Sequence, residues 1–139
     1  MTSEKVAETQ ENQATDEYSE QVKTVGKIAE AVVQANWEEV QRHLTDDVFY
    51  KVGSREPVHG KQAVIDFFTS LYSTTAKFKG HQIRKVWDEP GIVAAEMDAY
   101  YLRLKDNQQV TIACCDIYRI RDNKVYEWRV YADGSPIFE

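Results

Sequence analysis

The chain has 139 residues, 42% of them apolar and 12% aromatic, and a net charge of −6. That is the length of one domain with enough apolar side chains for a core, and no apolar run approaches the roughly 20 residues that span a bilayer. Most of the charge is local: residues 1–20 carry Glu4, Glu8, Glu11, Asp16, Glu17 and Glu20 against Lys5 alone, which is −5 of the −6. The remainder is nearly neutral and has no basic footprint for nucleic acid. The polar, acidic N-terminus lacks signal- or transit-peptide features, so a cytoplasmic protein without membrane contact is expected.

Residues 1–17 hold no large apolar side chain except Val6, which predicts an acidic mobile tail preceding one domain over 18–139. From Tyr18 an apolar stripe with helical period runs through Val22, Val25, Ile28, Ala29, Val32 and Val33. Gln34-Ala35-Asn36 ends it, and a short second helix is predicted over Trp37–Leu44. Thr45-Asp46-Asp47 reads as a turn and Val48–Val52 as a short strand. A loop over 53–57 leads to a third helix after Gly60, with Ala63, Val64, Phe67, Phe68, Leu71 and Tyr72 on its apolar face. Beyond Thr75 the period changes to that of strands, near 77–88, 91–104, 108–120 and 124–132. Asp88–Gly91, Lys105–Asn107 and Arg121–Asn123 separate them as hairpin turns. Helices followed by an antiparallel meander give an α+β class.

Cys114 and Cys115 are adjacent and point to opposite faces of a strand, so they suit burial better than a disulfide or a metal clip. His43, His59 and His81 are widely spaced and show no ligand pattern, so no metal is expected. The six glycines make no phosphate-binding loop, and no cofactor is expected.

Three segments carry a family likeness. Gln34–Val40 running through Leu44–Val48, Gly60–Phe68 and Asp122–Tyr131 resemble, in order and spacing, the entry helix, third helix and final strand of SnoaL-like proteins. These belong to the nuclear transport factor 2-like superfamily. The resemblance covers residues 21–133 and implies a cone-shaped α+β barrel, with three N-terminal helices packed on a curved, mostly antiparallel sheet. Ketosteroid isomerases, polyketide cyclases and limonene-epoxide hydrolases share that fold, so function has to be argued from the site.

A carboxylate in an apolar cavity is the chemistry to look for, because desolvation raises its pKa. Asp116 lies in the apolar strand Val110–Tyr118, where an unused carboxylate is costly. By resemblance it falls on the acid of the isomerase oxyanion hole and on a pocket histidine of the cyclases. Asp98 shares a strand face with Glu96 and Tyr100, and it resembles the acid of the epoxide hydrolases. Their pattern has Arg where this chain has Glu96. Their second aspartate, and that of the cyclases, falls on Val130. The isomerase base would lie near Lys51-Val52 and its first-helix tyrosine at Ile28, so no family mechanism transfers whole.

Asp116 is therefore expected as acid or hydrogen-bond donor, with Asp98 or Glu96 as base. Tyr50, Phe68, Tyr100, Tyr118, Trp128 and Val130 are expected as wall, the resemblance turning the Trp128 face into the cavity. The expected ligand is a small hydrophobic cyclic molecule, isomerised, cyclised or dehydrated without a cofactor. The alternative is a non-catalytic binding or interaction module. A homodimer is expected either way, because the outer sheet face bearing Val125, Arg129 and Tyr131 needs cover.

Overall fold

A computed structural model describes residues 19–139; the predicted acidic tail lies outside the described residues. The elements are α1 (Glu20–Val33), α2 (Trp37–Arg42), β1 (Leu44–Val52), β2 (Val58–His59), α3 (Lys61–Thr74), β3 (Ala76–Glu89), β4 (Ile92–Arg103), β5 (Gln108–Arg121), β6 (Lys124–Ala132) and α4 (Ser135–Phe138). Among the described residues no helix is long and apolar enough to cross a membrane.

The Ser19 side chain accepts the Val22 N–H and starts α1. Thr24, Val25, Ile28, Ala31 and Val32 then form its buried face. Ala35, at φ 56°, turns the chain, and the Asn36 side chain caps α2 by accepting the Glu39 N–H. The second helix stops at Arg42 rather than Leu44, because Leu44 is fully buried as the first residue of β1. The predicted Thr45-Asp46-Asp47 turn is an irregularity inside that strand. Leu44 pairs with Val125 and Phe49 with Glu127, so a step of five residues on β1 faces a step of two on β6.

The six strands form one curled, unclosed sheet in the order β2-β1-β6-β5-β4-β3. The β1–β6 pair is parallel and the others are antiparallel. The β5–β6 hairpin turns through Asp122 and Asn123, both at positive φ, which is the twist a two-residue hairpin needs. Thr24, buried on α1, donates to the Asn123 side chain at 3.0 Å and ties the helix to that turn. The helices cover the concave face, where Val93, Ala95, Met97 and Ala99 of β4 are buried. This is the α+β arrangement expected from the sequence, with β2 and the terminal turn α4 added.

Strand β3 departs from simple alternation twice, with register shifts between Phe78 and Gly80 and between Ile83 and Lys85. Each shift moves the inward parity by one residue. Ala76 and Phe78 are buried, and the inward set then continues through His81 and Ile83 to Val86. Gly80 holds φ +132°, a conformation that L side chains rarely adopt, so the first bulge depends on glycine.

Candidate functional site

Between the concave sheet face and the helices lies a cavity of about 350 Å³. The α1 side contributes Val22, Val25 and Val32, α3 contributes Phe67, Phe68 and Leu71, and β4 contributes Val93, Ala95, Met97 and Ala99. The turn α4 closes one end with Ile137 and Phe138, held by Arg103 donating to the Pro136 carbonyl and by the Arg55 guanidinium over the Phe138 ring. Lys23 and Ile83 line the cavity and are also exposed, so it opens to the surface between α1 and β3.

Asp116 is the one carboxylate among the described residues that lines this cavity. It is 8% exposed, in a strand whose inward set is Ile112, Cys114, Asp116 and Tyr118. Tyr118 Oη donates to its Oδ2 at 3.1 Å and Trp128 Nε1 donates to the same oxygen at 3.2 Å. Oδ1 faces only the Cys114 thiol, at 3.6 Å. Burial pushes the carboxyl up to about 6 from its ordinary 3.8, against the three hydrogen bonds, which favour the charged form. One oxygen is thus saturated by donors and the other is left to exchange a proton.

The rings around it are packed on one another. Tyr118 stacks on Trp128 with centroids 5.4 Å apart, and Tyr50 meets Trp128 edge-on at 4.7 Å and Phe67 at 5.4 Å. Burial raises the Tyr50, Tyr118 and Tyr101 hydroxyls well above their usual range, and the Cys114 thiol likewise. All of these groups are neutral at physiological pH, so Asp116 carries whatever charge the deep part of the cavity holds.

The sequence-derived candidates therefore divide. Asp116, Tyr50, Phe68, Tyr118, Trp128 and Val130 come together around the cavity. Glu96, Asp98 and Tyr100 do not. They alternate with Ala95, Met97 and Ala99, whose burial fixes that parity as inward, so all three stand on the opposite face of the sheet. There Asp98 pairs with Arg84, and Tyr100 lies over Gln82. Neither Asp98 nor Glu96 can serve as a base in the cavity.

Lining residues that were not anticipated include His81, Tyr101 and Cys114. Cys114 and Tyr101 follow from strand parity once Asp116 is placed inward, through the pairs Met97 with Cys114 and Tyr101 with Val110. His81 was hidden by the bulge at Gly80. Among the described residues no three His, Cys, Asp or Glu side chains converge as a metal site.

The SnoaL-like domain family matches residues 25–128, most of the chain. The chain belongs to that family. Solved structures agree on the architecture. An epoxide hydrolase of the LEH-like type from M. tuberculosis superposes with a TM-score of 0.74 at 18% identity, covering 88% of this chain and 89% of that one. An NTF2-like protein of unknown function from Burkholderia pseudomallei reaches 0.75 at 13% identity, covering 86% and 95%. A protein provisionally called a SnoaL-like polyketide cyclase, from Shewanella putrefaciens, reaches 0.75 at 11% identity, covering 85% and 93%. At these identities the likeness is one of fold. No curated protein matches the chain in sequence.

Proposed function

We propose that this SnoaL-like protein binds a small, flat, hydrophobic molecule in the cavity and moves a proton on it, Asp116 being both acceptor and donor. The carrying observation is the asymmetric carboxylate, with Oδ2 held by Tyr118 and Trp128 and Oδ1 unsaturated, in an apolar cavity that sets its pKa near 6. A group titrating close to neutrality takes a proton and returns it with comparable ease. The balanced reaction is an isomerisation. A C–H proton beside a carbonyl passes to Oδ1 as the electron pair moves into the dienolate, and Oδ1 returns a proton, the same one or one exchanged with solvent, to a more distant carbon. Water is neither added nor lost.

The cross-strand register supports this reading. Val130, on which the family's second aspartate falls by resemblance, is paired directly with Asp116. Opposite partners on one face have their Cβ atoms about 5 Å apart. The carboxylate sits one strand over on the same rung and reaches the same space.

The test is incubation with β,γ-unsaturated cyclic ketones in D₂O, followed by proton NMR for conjugation and deuterium uptake. Turnover is expected to rise with pH through about 6, as Asp116 ionises. Asp116→Asn is expected to lose it by about a hundredfold or more. Turnover surviving in Asp116→Asn removes the assignment. The missing family positions at Val130, Lys51-Val52 and Ile28 favour one second reading, a carrier that binds without converting. Compounds retained in native mass spectrometry with no exchange or product would establish it.

A further inference from the structure

The cavity has a second polar group that the acid–base reading does not use. His81 lines it on β3, one inward position from the exposed Ile83 at the mouth. Its Nδ1 is enclosed and has no hydrogen-bond partner among the described residues. The nearest ring is Phe78, with centroids 5.8 Å apart. The imidazole is held below its ordinary pKa by burial, so it is neutral at pH 7. A proton on Nδ1 would be a buried donor with nothing to receive it, and such orphaned N–H groups are rare. The proton therefore belongs on Nε2, the ring nitrogen that is not enclosed and is not bonded to another group of the described chain, on a residue that lines the cavity. Gly80 is what turns this ring inward, since without the bulge His81 would fall on the outer face.

The register sets its distance from Asp116. His81 pairs with Ala99 and Ala99 with Ile112, four residues along β5 from Asp116 and two strands away. Four residues are about 13 Å along a strand and two strands about 10 Å across, so the two backbone positions lie on the order of 16 Å apart along the sheet, with both side chains on its concave face. Apolar residues fill the wall between them. A cavity with a proton-exchanging group in its depth and a hydrogen-bond donor near its mouth recognises length as well as hydrophobicity.

Resting on the reading that the cavity holds a ligand, we propose that His81 is its outer polar anchor. Its Nε2–H donates to an oxygen at the far end of an elongated apolar molecule, whose other oxygen-bearing end reaches Asp116. The substrate class is thereby narrowed to rigid, largely apolar molecules with an oxygen function at each end.

The experiment uses two rods, a trans-stilbene with a para-hydroxyl on both rings and its mono-hydroxy analogue. Both are titrated by fluorescence into the full chain and into H81F and H81Q. The wild type is expected to bind the dihydroxy rod about tenfold more tightly than the mono-hydroxy rod. H81F, which keeps a ring of similar size, is expected to erase that difference. H81Q, whose amide N–H can stand near Nε2, is expected to restore part of it. In nitrogen-15 NMR of the wild type, His81 is expected as the Nε2–H tautomer, with its Nε2 shift moving for the dihydroxy rod. Equal affinity for the two rods, or a preference that survives H81F, overturns the anchor while leaving the pocket reading in place. An Nδ1–H tautomer in the free protein overturns it independently of how any variant folds. Failure of both rods to bind the wild type sinks the pocket reading and the anchor together.

Discussion

Replacing Asp116 by asparagine removes a buried titration, and the effect on stability depends on pH in a way that packing alone cannot imitate. The folded carboxyl titrates at about 6 and the ordinary value is 3.8, so the folded state holds its proton more tightly than the unfolded one. Stability from this group is complete below the unfolded pKa and is lost as pH rises through about 6. Because Asp116 lies almost wholly within the protein, the shift converts with little solvent screening. The difference in its titration between folded and unfolded states destabilises the fold by about 3 kcal/mol at pH 7.5 and about 1 kcal/mol at pH 4.5, from roughly 1.4 kcal/mol per pKa unit. Asparagine has no such term, and its altered hydrogen bonds to Tyr118 and Trp128 add an offset that does not change with pH. Urea unfolding of both proteins at the two pH values cancels the titration of every other carboxylate. The variant is expected to gain about 2 kcal/mol relative to the wild type on going from pH 4.5 to pH 7.5. An unchanged difference would show that burial does not control this carboxyl. A wild type that gains on the variant with rising pH would make Asp116 an ordinary stabilised anion and remove the basis for its proposed chemistry.

Three further outcomes are expected. Gln21 on α1 bonds the Asp88 side chain, the Glu89 and Ile92 carbonyls and the Gly91 N–H, clamping the β3–β4 turn to the helix. Gln21→Ala should cost about 1–2 kcal/mol in denaturant unfolding and speed amide exchange at that turn; no change in either would reduce the clamp to a surface contact. Gly80→Ala meets no atom within 4 Å of the added Cβ, yet it forces a side chain to φ +132°. A loss of about 1–3 kcal/mol is expected, and a neutral result in thermal unfolding would mean that the bulge has shifted elsewhere. The outer sheet face exposes Trp87 and Tyr131 beside Ala94, Ala113, Cys115 and Ile117, and we propose that it pairs two copies. Sedimentation should give a dimer at micromolar concentration and a monomer for Tyr131→Glu, and a monomeric wild type would refute the pairing.

The helices and strands were readable because their burial patterns are regular. Val25, Ile28 and Val32 recur at helical spacing and all are buried. The long strands were framed by turn residues such as Asp122-Asn123, whose positive φ values are what that turn requires. The errors fell where tertiary pairing overrides local chemistry. Thr45-Asp46-Asp47 has the composition of a turn, but its flanks are pulled into a parallel pair with β6, and parallel partners 80 or so residues away leave no local trace. The two-residue β2 and the one-turn α4 are too short for any period to show.

The site was partly legible for the same reason. Asp116 stood out as a carboxylate in an apolar strand, and its face follows from one parity choice. Asp98 was placed by likeness to the acid of the epoxide hydrolases and Glu96 by sharing its strand face, whereas here Ala95, Met97 and Ala99 take the inward positions. Reading β4 by side-chain size alone would have turned the two acids outward, since three buried small or flexible residues alternate with three polar ones. His81 is the instructive omission. Simple alternation from Ala76 and Phe78 assigns it to the outer face, and only the glycine before it reveals the change of phase. A glycine inside a strand is a phase marker; counting the residues after Gly80 afresh brings His81 and Ile83 inward together. Both polar ends of the cavity thus rest on backbone devices, a rung shared with Val130 for Asp116 and a glycine bulge for His81.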